Sequence, residues 1–204
     1  MPFATEQEQF WAGEFGDTYI DRNPTASNLA AKKAMFKRML QGIPNPVSII
    51  EFGANIGGNI KALRELVPAA YLEAVEINSK AYEQLASIDG VVAHHTTILG
   101  FQSPRQFDLS FTVGVLIHIA PEKLRDAYAA LHGASRRYIL IGEYYNPEPV
   151  EVPYRGHDER LFKRDWASEL MSLYPLRLLD YGFFYRGDPN HRFNDITWFL
   201  LERR

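Results

Sequence analysis

The chain has 204 residues, 46% of them hydrophobic, and a formal net charge of −3. This length predicts a single domain with one substantial core, and the charge argues against a protein that binds nucleic acid through general electrostatics. Without cysteine there can be no disulfide and no thiolate zinc site, which favours a cytoplasmic protein. The acidic start does not fit a signal peptide, and no apolar run approaches the roughly 20 residues of a membrane helix.

Residues 1–44 are predicted to form a helical lid region. The sequence Thr5-Glu-Gln-Glu8 is a capping box, which predicts a short helix that carries Trp11. A loop is expected over 13–24, followed by a longer helix over about 25–42.

A glycine-rich turn is the most informative feature of the sequence. An apolar run over 47–50 predicts a buried parallel strand that ends in Glu51. The turn Gly53-Ala-Asn-Ile-Gly-Gly58 then opens a helix, and a second strand over 70–75 places Glu76 at its tip. Strand, glycine turn, helix, strand and carboxylate form the layout of a nucleoside-binding crevice in a doubly wound sheet.

The composition of this turn indicates which nucleoside cofactor it holds. Asn55 stands where a dinucleotide fingerprint needs its second glycine, and no G-K-[ST] sequence follows that would make a P-loop. Glu51 would repel a phosphate but suits an ammonium group. S-adenosylmethionine fits these requirements, because it has a ribose and an amino acid end but no phosphate. A tight strand-to-helix turn without a ligand is the alternative.

The remaining elements continue the alternation of strands and helices that predicts a parallel sheet. Ser79 is predicted to cap a helix with Tyr82 and Leu85 directed inward, and a later helix carries Trp166, Leu170 and Leu173 on one face. Strands are predicted over 91–95, 108–113, 138–141, 176–185 and 196–201, with a helix over about 121–133 and a turn at 187–190. The last two strands have no helix between them and should pair antiparallel.

The glycine turn, Glu76 and the sequence Gly114-Val-Leu-Ile-His-Ile-Ala-Pro121 together resemble class I S-adenosylmethionine-dependent methyltransferases. The resemblance implies an α/β Rossmann-like sandwich, with a mostly parallel seven-stranded sheet, an antiparallel last strand and helices on both faces. Within one domain over 1–204 it implies four parts. These are the lid region over 1–44, a cofactor-binding core over 45–145, an acceptor-side loop and helix over 146–175, and C-terminal antiparallel strands over 176–204.

The same resemblance implies the cofactor-binding residues. Glu76 takes the ribose, the turn lies against the methionine part, Thr97 reads the adenine and the tip of the fourth strand lines the transfer chamber. Asn55 departs from the usual glycine and Thr97 from the usual aspartate. Two lid residues are added because many methyltransferases carry a flap before the first strand. The full predicted set is Tyr19, Arg22, Glu51, Gly53, Asn55, Gly57, Glu76, Ile77, Thr97, Gly114 and Leu116.

A narrower resemblance lies at both ends of the chain. The segments 6–23, 143–147, 152–157, 161–165 and 195–199 look like the small methylases associated with pseudaminic acid biosynthesis. This family implies a methyl donor and a sugar-pathway context, and it leaves the acceptor open. We therefore expect a small polar acceptor, anionic and derived from a sugar, with no nucleic acid, membrane or metal involved.

Three residues are candidates for catalysis. An oxygen acceptor must lose its proton to a base within hydrogen-bond reach, and His118, just past the fourth strand, is best placed for this. Its alternative role is to orient the loop through backbone hydrogen bonds. Glu143 and Tyr144 at the tip of the fifth strand could bind hydroxyl groups of the acceptor, or simply close that strand.

Cations are concentrated in the segment that follows the fifth strand. Tyr154, Arg155, His157 and Arg160 are predicted to bind the acceptor, since arginine suits carboxylate and phosphate groups. The alternative is a solvated loop with internal salt bridges to Asp158, Glu159 and Asp165.

Two other functions share the same crevice. A nicotinamide-dependent reductase would use Glu76 in the same way but needs a second glycine at position 55 and a proton donor such as a Tyr-x-x-x-Lys pair, and the sequence has neither. A binding module that holds the cofactor without turnover is the other possibility. The oligomeric state is left open.

Overall fold

A computed structural model describes residues 3–22, 28–189 and 194–204. Its helices are α1 (Glu6–Ala12), α2 (Glu14–Arg22), α3 (Leu29–Met39), α4 (Gly58–Leu66), α5 (Ser79–Ala86), α6 (Leu124–Ala134) and α7 (Trp166–Leu173). Its strands are β1 (Ser48–Phe52), β2 (Tyr71–Glu76), β3 (Val91–His95), β4 (Phe107–Val113), β5 (Ser135–Glu143), β6 (Val150–Glu151), β7 (Phe162–Lys163), β8 (Leu176–Phe184) and β9 (Ile196–Arg203).

Seven strands form one sheet in the order β3-β2-β1-β4-β5-β9-β8. Strands β1 to β5 are parallel, and β9 runs antiparallel to both of its neighbours, β5 and β8. Phe52, at the end of β1, lies opposite Val75 of β2 and Thr112 of β4, so the carboxyl ends of these three strands lie together. The predicted fold class, including the antiparallel last strand, is confirmed.

Both faces of the sheet are covered by helices. Ile49 packs in a core cluster with residues of α3 and α4, while its neighbour Ile50 packs in the opposite cluster with residues of α6 and α7. Because successive strand residues point to opposite faces, a strand buried on both faces reads as a continuous apolar run. This explains why β1 could be identified from sequence.

The N-terminal region differs from the prediction, since the expected loop over 13–24 contains α2. Gly16 packs α2 closely on α1: an added Cβ would lie 1.9 Å from the carbonyl oxygen of Trp11. The pattern of aromatic and charged residues concealed the helix because only Gly16 and Ile20 of α2 are buried. The predicted start of the next helix, at residues 25–27, lies outside the described residues.

Further corrections concern caps and burial. Asn78, not Ser79, caps α5, because its Oδ1 accepts a hydrogen bond of 2.9 Å from the backbone of Ala81. Tyr82 is half-buried and stacks on His95, and Leu173 is exposed although it was predicted to face the core with Trp166. The segment over 146–164 adds the small β6–β7 pair, which was not predicted. The predicted turn at 187–190 ends at a residue outside the described ranges.

None of the described helices has the length and apolar character needed to span a membrane. Among the described residues there is also no cluster of three or more side chains suited to holding a metal ion.

Candidate active site

A cavity of about 340 Å³ lies where the ends of β1, β2 and β4 meet, beneath α1 and α2. The structure brings nine of the predicted site residues to its wall. They are Tyr19, Arg22, Gly53, Asn55, Glu76, Ile77, Thr97, Gly114 and His118. The other predicted residues lie behind the wall or in the neighbouring 154–160 segment.

The turn after β1 depends on left-handed backbone at three positions. Gly53, Asn55 and Gly57 have φ angles of 73°, 49° and 78°. Asparagine is one of the few residues that tolerates this region, and the Oδ1 of Asn55 accepts a hydrogen bond of 2.7 Å from the next backbone nitrogen. Asn55 therefore replaces the usual glycine without changing the path of the turn.

Gly53 and Gly57 both allow close packing of neighbouring side chains, and Gly53 also lines the cavity. A Cβ on Gly53 would lie 2.4 Å from the side chain of Val115, and one on Gly57 would lie 2.3 Å from that of Ile88. Gly57 is buried against residues at the end of α5. It does not belong to the described wall of the cavity. Its role in the structure is to join α4 to the sheet.

Glu76 stands at the cavity wall with its carboxylate held by the backbone. Its oxygens accept hydrogen bonds of 2.7 Å from the nitrogens of Asn55 and Asn78. Burial raises the pKa of Glu76, and these backbone hydrogen bonds oppose that rise. Each carboxylate oxygen has a further lone pair, so the group can still accept two hydroxyl groups.

Glu51 lies one layer behind the wall and is fully buried. Its Oε1 accepts a hydrogen bond of 2.6 Å from Nδ2 of Asn59, whereas its Oε2 has no hydrogen-bond partner in the described chain. Burial raises the pKa of Glu51 to about 8, against the opposing effects of Asn59 and Lys32 and with a small contribution from Glu76.

The end of the cavity near β3 joins the core to the lid. Thr97 donates a short hydrogen bond to Glu8 of α1, and the apolar side chains of Ile77 and Ile98 lie nearby in the wall. Glu8 was seen in the sequence only as part of a capping box. The box is half formed, since Thr5 caps the Glu8 nitrogen while the Glu8 carboxylate accepts from the nitrogen of Ala4.

His118 follows β4 in a 3₁₀ turn over Leu116–His118. Its Nδ1 lies 2.6 Å from the carbonyl oxygen of Arg160, and a carbonyl can only accept, so Nδ1 carries the proton and Nε2 has the free lone pair. Burial lowers the pKa of His118 to about 4, which keeps the ring neutral at ordinary pH. Leu116 is fully buried in the core cluster behind the cavity.

Glu143 braces the turn that carries His118. Its carboxylate accepts hydrogen bonds of 2.9 and 3.0 Å from the nitrogens of Val115 and Leu116, and a longer one of 3.5 Å from Ile117. Burial raises the pKa of Glu143 to about 7, against the effect of these donors. Glu143 is fully buried, is not part of the described cavity wall and holds the turn after β4, a contact that was not predicted from the sequence.

Tyr19, which lines the cavity, interacts electrostatically with the phenols of Tyr144 and Tyr154. The pKa of Tyr144 is raised to about 12, mainly by burial and in smaller part by Tyr154 and Tyr19, so that the phenol stays protonated. Burial likewise raises the pKa of Tyr19, with Tyr154 adding to the rise and Arg155 opposing it. The guanidinium of Arg155 lies 5.7 Å from the ring of Tyr154, and Tyr154 and Tyr144 pack against the same core cluster.

An aromatic cluster forms the roof. The Trp11 ring lies 5.2 Å from Tyr19, 4.5 Å from His118 and 6.2 Å from Tyr154, measured between ring centroids. Arg22 lies over the ring of Phe15 at 5.7 Å. The Trp11 ring therefore packs within this cluster beside Tyr19, and both residues line the cavity.

The 154–160 segment contains a tight turn and an arginine that contacts α1. Backbone hydrogen bonds join Tyr154 and His157 in both directions, and the turn between them holds Arg155 in the left-handed region at φ 52°. Arg160 bridges to Glu6 of α1 at 3.2 Å and lies over the ring of Phe10. The alternative of salt bridges within the loop is not seen for Arg160. Among the described residues it pairs with neither Asp158 nor Asp165, and it reaches only the backbone oxygen of Glu159.

The residues predicted to bind the acceptor differ in their exposure to solvent. Arg155 and His157 are exposed, and His157 packs on Phe10 and Phe15 of the lid. Arg155 has no ion pair within the described chain, and its guanidinium lies 5.7 Å from the ring of Tyr154. Of the predicted cations, Arg155 alone has a guanidinium without an acidic partner among the described residues, since Arg160 pairs with Glu6.

Sequence reasoning missed several residues of the site, and four with polar side chains are Glu8, Lys32, Asn59 and Asn78. All four line the cavity. The amide of Asn78 donates to Asp17 and to the carbonyl oxygen of Trp11, so it fastens the lid to α5. Its position two residues after Glu76 at a helix start was the available signal.

Comparisons with known proteins were made with the sequence and with the structure. No family model matches the chain, and no curated protein matches it significantly. The 1,6-didemethyltoxoflavin-N1-methyltransferase of Burkholderia thailandensis, solved with 1,6-didemethyltoxoflavin and S-adenosylhomocysteine, is similar with a TM-score of 0.72 at 16% identity. The match covers 100% of this chain and 92% of that one.

Two further solved structures of methyltransferases are also similar to this chain. The magnesium protoporphyrin IX methyltransferase of Synechocystis PCC 6803 with bound S-adenosylmethionine gives a TM-score of 0.72 at 11% identity and covers 100% of both chains. A glycopeptide N-methyltransferase in complex with S-adenosylhomocysteine gives 0.67 at 11% identity, over 87% of this chain and 90% of that one. The chain therefore has the fold of class I S-adenosylmethionine-dependent methyltransferases.

Proposed function

We propose that this chain is an S-adenosylmethionine-dependent methyltransferase. The observation that carries the proposal is the cavity at the ends of β1, β2 and β4, with Glu76 at its wall and a turn unsuited to phosphate. The similar structures that hold this cofactor or its product support it.

The chain's residues fit the cofactor part by part. Glu76 has lone pairs free for the ribose hydroxyls, while Ile77 and Ile98 offer apolar surface to the adenine. The backbone at Gly53 and Asn55 leaves room for the methionine part. When bound, the cofactor supplies a methyl group on a sulfonium, which a nucleophile displaces in line. Aromatic faces such as those of Trp11 and Tyr19 attract a cation where water is excluded.

His118 is proposed to face the acceptor. With Nδ1 committed to Arg160, the neutral ring offers the lone pair of Nε2 to a hydroxyl or amine proton. Its low pKa makes it a weak base, which suits orientation of the acceptor and late uptake of the proton. Tyr144 remains a candidate for binding hydroxyl groups, and Glu143 acts by holding the turn that carries His118.

We further propose a small polar, anionic acceptor derived from a sugar, in a surface-glycan pathway within the cytoplasm. Two features support this. One is the likeness to methylases associated with pseudaminic acid biosynthesis, and the other is Arg155, which has no ion pair among the described residues and lies over the ring of Tyr154. Arg155 also adopts a strained backbone conformation, and such residues cluster at functional sites. The acceptor's anion would meet Arg155, with Tyr154 alongside.

Titration calorimetry with S-adenosylhomocysteine tests the cofactor assignment. Glu76→Ala is expected to weaken binding by roughly 1.5–3 kcal/mol, the range for hydrogen bonds to a charged group. Unchanged affinity in a folded variant would remove Glu76 from the site. A melting temperature raised by NADH and not by S-adenosylhomocysteine would favour the reductase instead.

Methyl transfer from labelled S-adenosylmethionine to a panel of acidic sugars, nucleotide sugars and neutral sugars tests the acceptor. Arg155→Gln is expected to raise the KM of the acidic acceptor with little change in kcat, because it removes a contact made equally in ground and transition states. Arg160→Gln is the matched comparison, and it should instead loosen the lid and lower stability. Preference for neutral sugars would overturn the anionic acceptor, and no turnover with any acceptor would favour the binding module.

A further inference from the structure

A chain of polar side chains crosses one side of the cavity and joins three elements of the fold. Lys32 of α3 donates a hydrogen bond of 2.6 Å from Nζ to Oδ1 of Asn59 in α4. Asn59 in turn donates from Nδ2 to Glu51 of β1 at 2.6 Å. Lys32 and Asn59 line the cavity, whereas Glu51 is sealed behind them. The amide orientation of Asn59 is fixed at both ends by this chain.

The ammonium group of Lys32 has hydrogen-bond donors that have no partner among the described residues. An ammonium group has three donors, and only the bond to Asn59 is formed among the described residues. Burial lowers the pKa of Lys32, and Glu51 opposes that effect from the far side of the amide. The half-buried ammonium of Lys32 is bonded to a neutral amide and has no anionic partner among the described residues, although desolvated ammonium groups are normally paired.

We propose that Lys32 binds the carboxylate of the cofactor's amino acid end, with Asn59 and Glu51 as positioning residues. The inference rests on the proposed function. A carboxylate has only acceptors and so complements the unused donors of Lys32. Lys32 also lies on the β1 side of the cavity, next to the turn assigned to the methionine part, while Glu76 holds the ribose side. Glu51 acts through Asn59, because its own oxygens are not open to the cavity.

Lys32 distinguishes nucleosides that carry the amino acid from those that lack it, which the glycine turn does not do. A nucleoside that lacks the amino acid, such as 5′-methylthioadenosine, has no group for Lys32 although it retains the ribose and adenine. S-adenosylhomocysteine has all three parts. The ratio of the two affinities therefore measures the contribution of the Lys32 chain separately from that of Glu76.

Titration calorimetry of both nucleosides into the full chain tests the proposal. Lys32→Met is expected to weaken binding of S-adenosylhomocysteine by about tenfold to a hundredfold, the effect of losing a charge-assisted hydrogen bond. Binding of 5′-methylthioadenosine should change by less than about threefold. Lys33→Met is the matched control, since the adjacent Lys33 is exposed and pairs with Glu65, and it should alter neither affinity.

A second variant addresses the positioning role and guards against misfolding. Asn59→Ala should reduce the same affinity ratio while leaving Lys32 in place, and melting curves of all variants establish that they are folded. An unchanged ratio in Lys32→Met, or an equal loss for both nucleosides, would overturn the inference. Failure of the unaltered protein to bind either nucleoside would instead refute the proposed function.

Discussion

The buried carboxylate of Glu51 predicts an unusual dependence of stability on pH. Its pKa is raised to about 8 by burial, opposed by Asn59 and Lys32 and favoured by Glu76, whereas an unfolded glutamate titrates near 4.5. Between these values the folded chain keeps a proton that the unfolded chain has lost. Stability from this group is therefore fully present below about pH 4.5 and falls as pH rises towards 8. Glu51→Gln should abolish this part of the slope.

The size of the effect follows from the two pKa values. A tenfold change in proton affinity corresponds to about 1.4 kcal/mol, so the range from pH 5 to pH 8 sets an upper limit of roughly 4 kcal/mol. Because Lys32 shares the titration, we expect about half of this, on the order of 2 kcal/mol, as the stability that the unaltered protein loses over this range and Glu51→Gln keeps. Urea unfolding at both pH values measures this. At pH 5 the free energy of unfolding of Glu51→Gln should equal that of the unaltered protein or be slightly lower, because the new amide buries donors without partners. Glu83→Gln, at an exposed position of α5, controls for the loss of charge. Parallel pH curves for Glu51→Gln and the unaltered protein would refute the reasoning.

Three other predictions follow from the site. Asn55→Gly should keep stability within about 0.5 kcal/mol, while Asn55→Ala should lose about 1–2 kcal/mol through left-handed strain, and equal melting temperatures for the two would contradict this. Glu143→Ala should lower stability in urea by about 2–4 kcal/mol by leaving buried backbone donors unpaired, and Glu143→Gln should lose less because its amide oxygen still accepts. The ring signals of His118, followed by NMR, should stay those of a neutral imidazole until pH approaches 4, and a midpoint near 6.5 would show that the ring is not desolvated as described.

The sheet was predictable because its signals are local. The apolar run of β1, the glycine turn and the acid at the tip of β2 lie within a short stretch, and burial on both faces makes such strands apolar throughout. The lid was harder to predict. The helix α2 buries only Gly16 and Ile20, and its aromatic residues pack on α1 and the 154–160 segment, so the helical period of apolar residues is weak.

The site was predictable only where a single residue type signals its own role. Glu76 and Gly53 belong to a recognisable turn, but Lys32 lies 27 residues from Asn59, and Glu8 lies 89 residues from Thr97. Neither residue has a local feature that distinguishes it from a surface charge. Glu143 illustrates the same limit, since its donors come from a turn 28 residues earlier, and an acid at a strand tip fits a substrate contact equally well.

The charges around the cavity relate its stability to its proposed chemistry. Burial raises the pKa of Glu51 and Glu76 and lowers that of Lys32, so desolvation opposes the charged form of each group. S-adenosylmethionine brings a sulfonium, an ammonium and a carboxylate, and each stabilises the ionised form of a neighbour of opposite charge. Methyl transfer then turns the sulfonium into a neutral thioether, which removes one of these attractions and leaves the others. We therefore expect the buried carboxylates of Glu51 and Glu76 to favour the charged cofactor over its product.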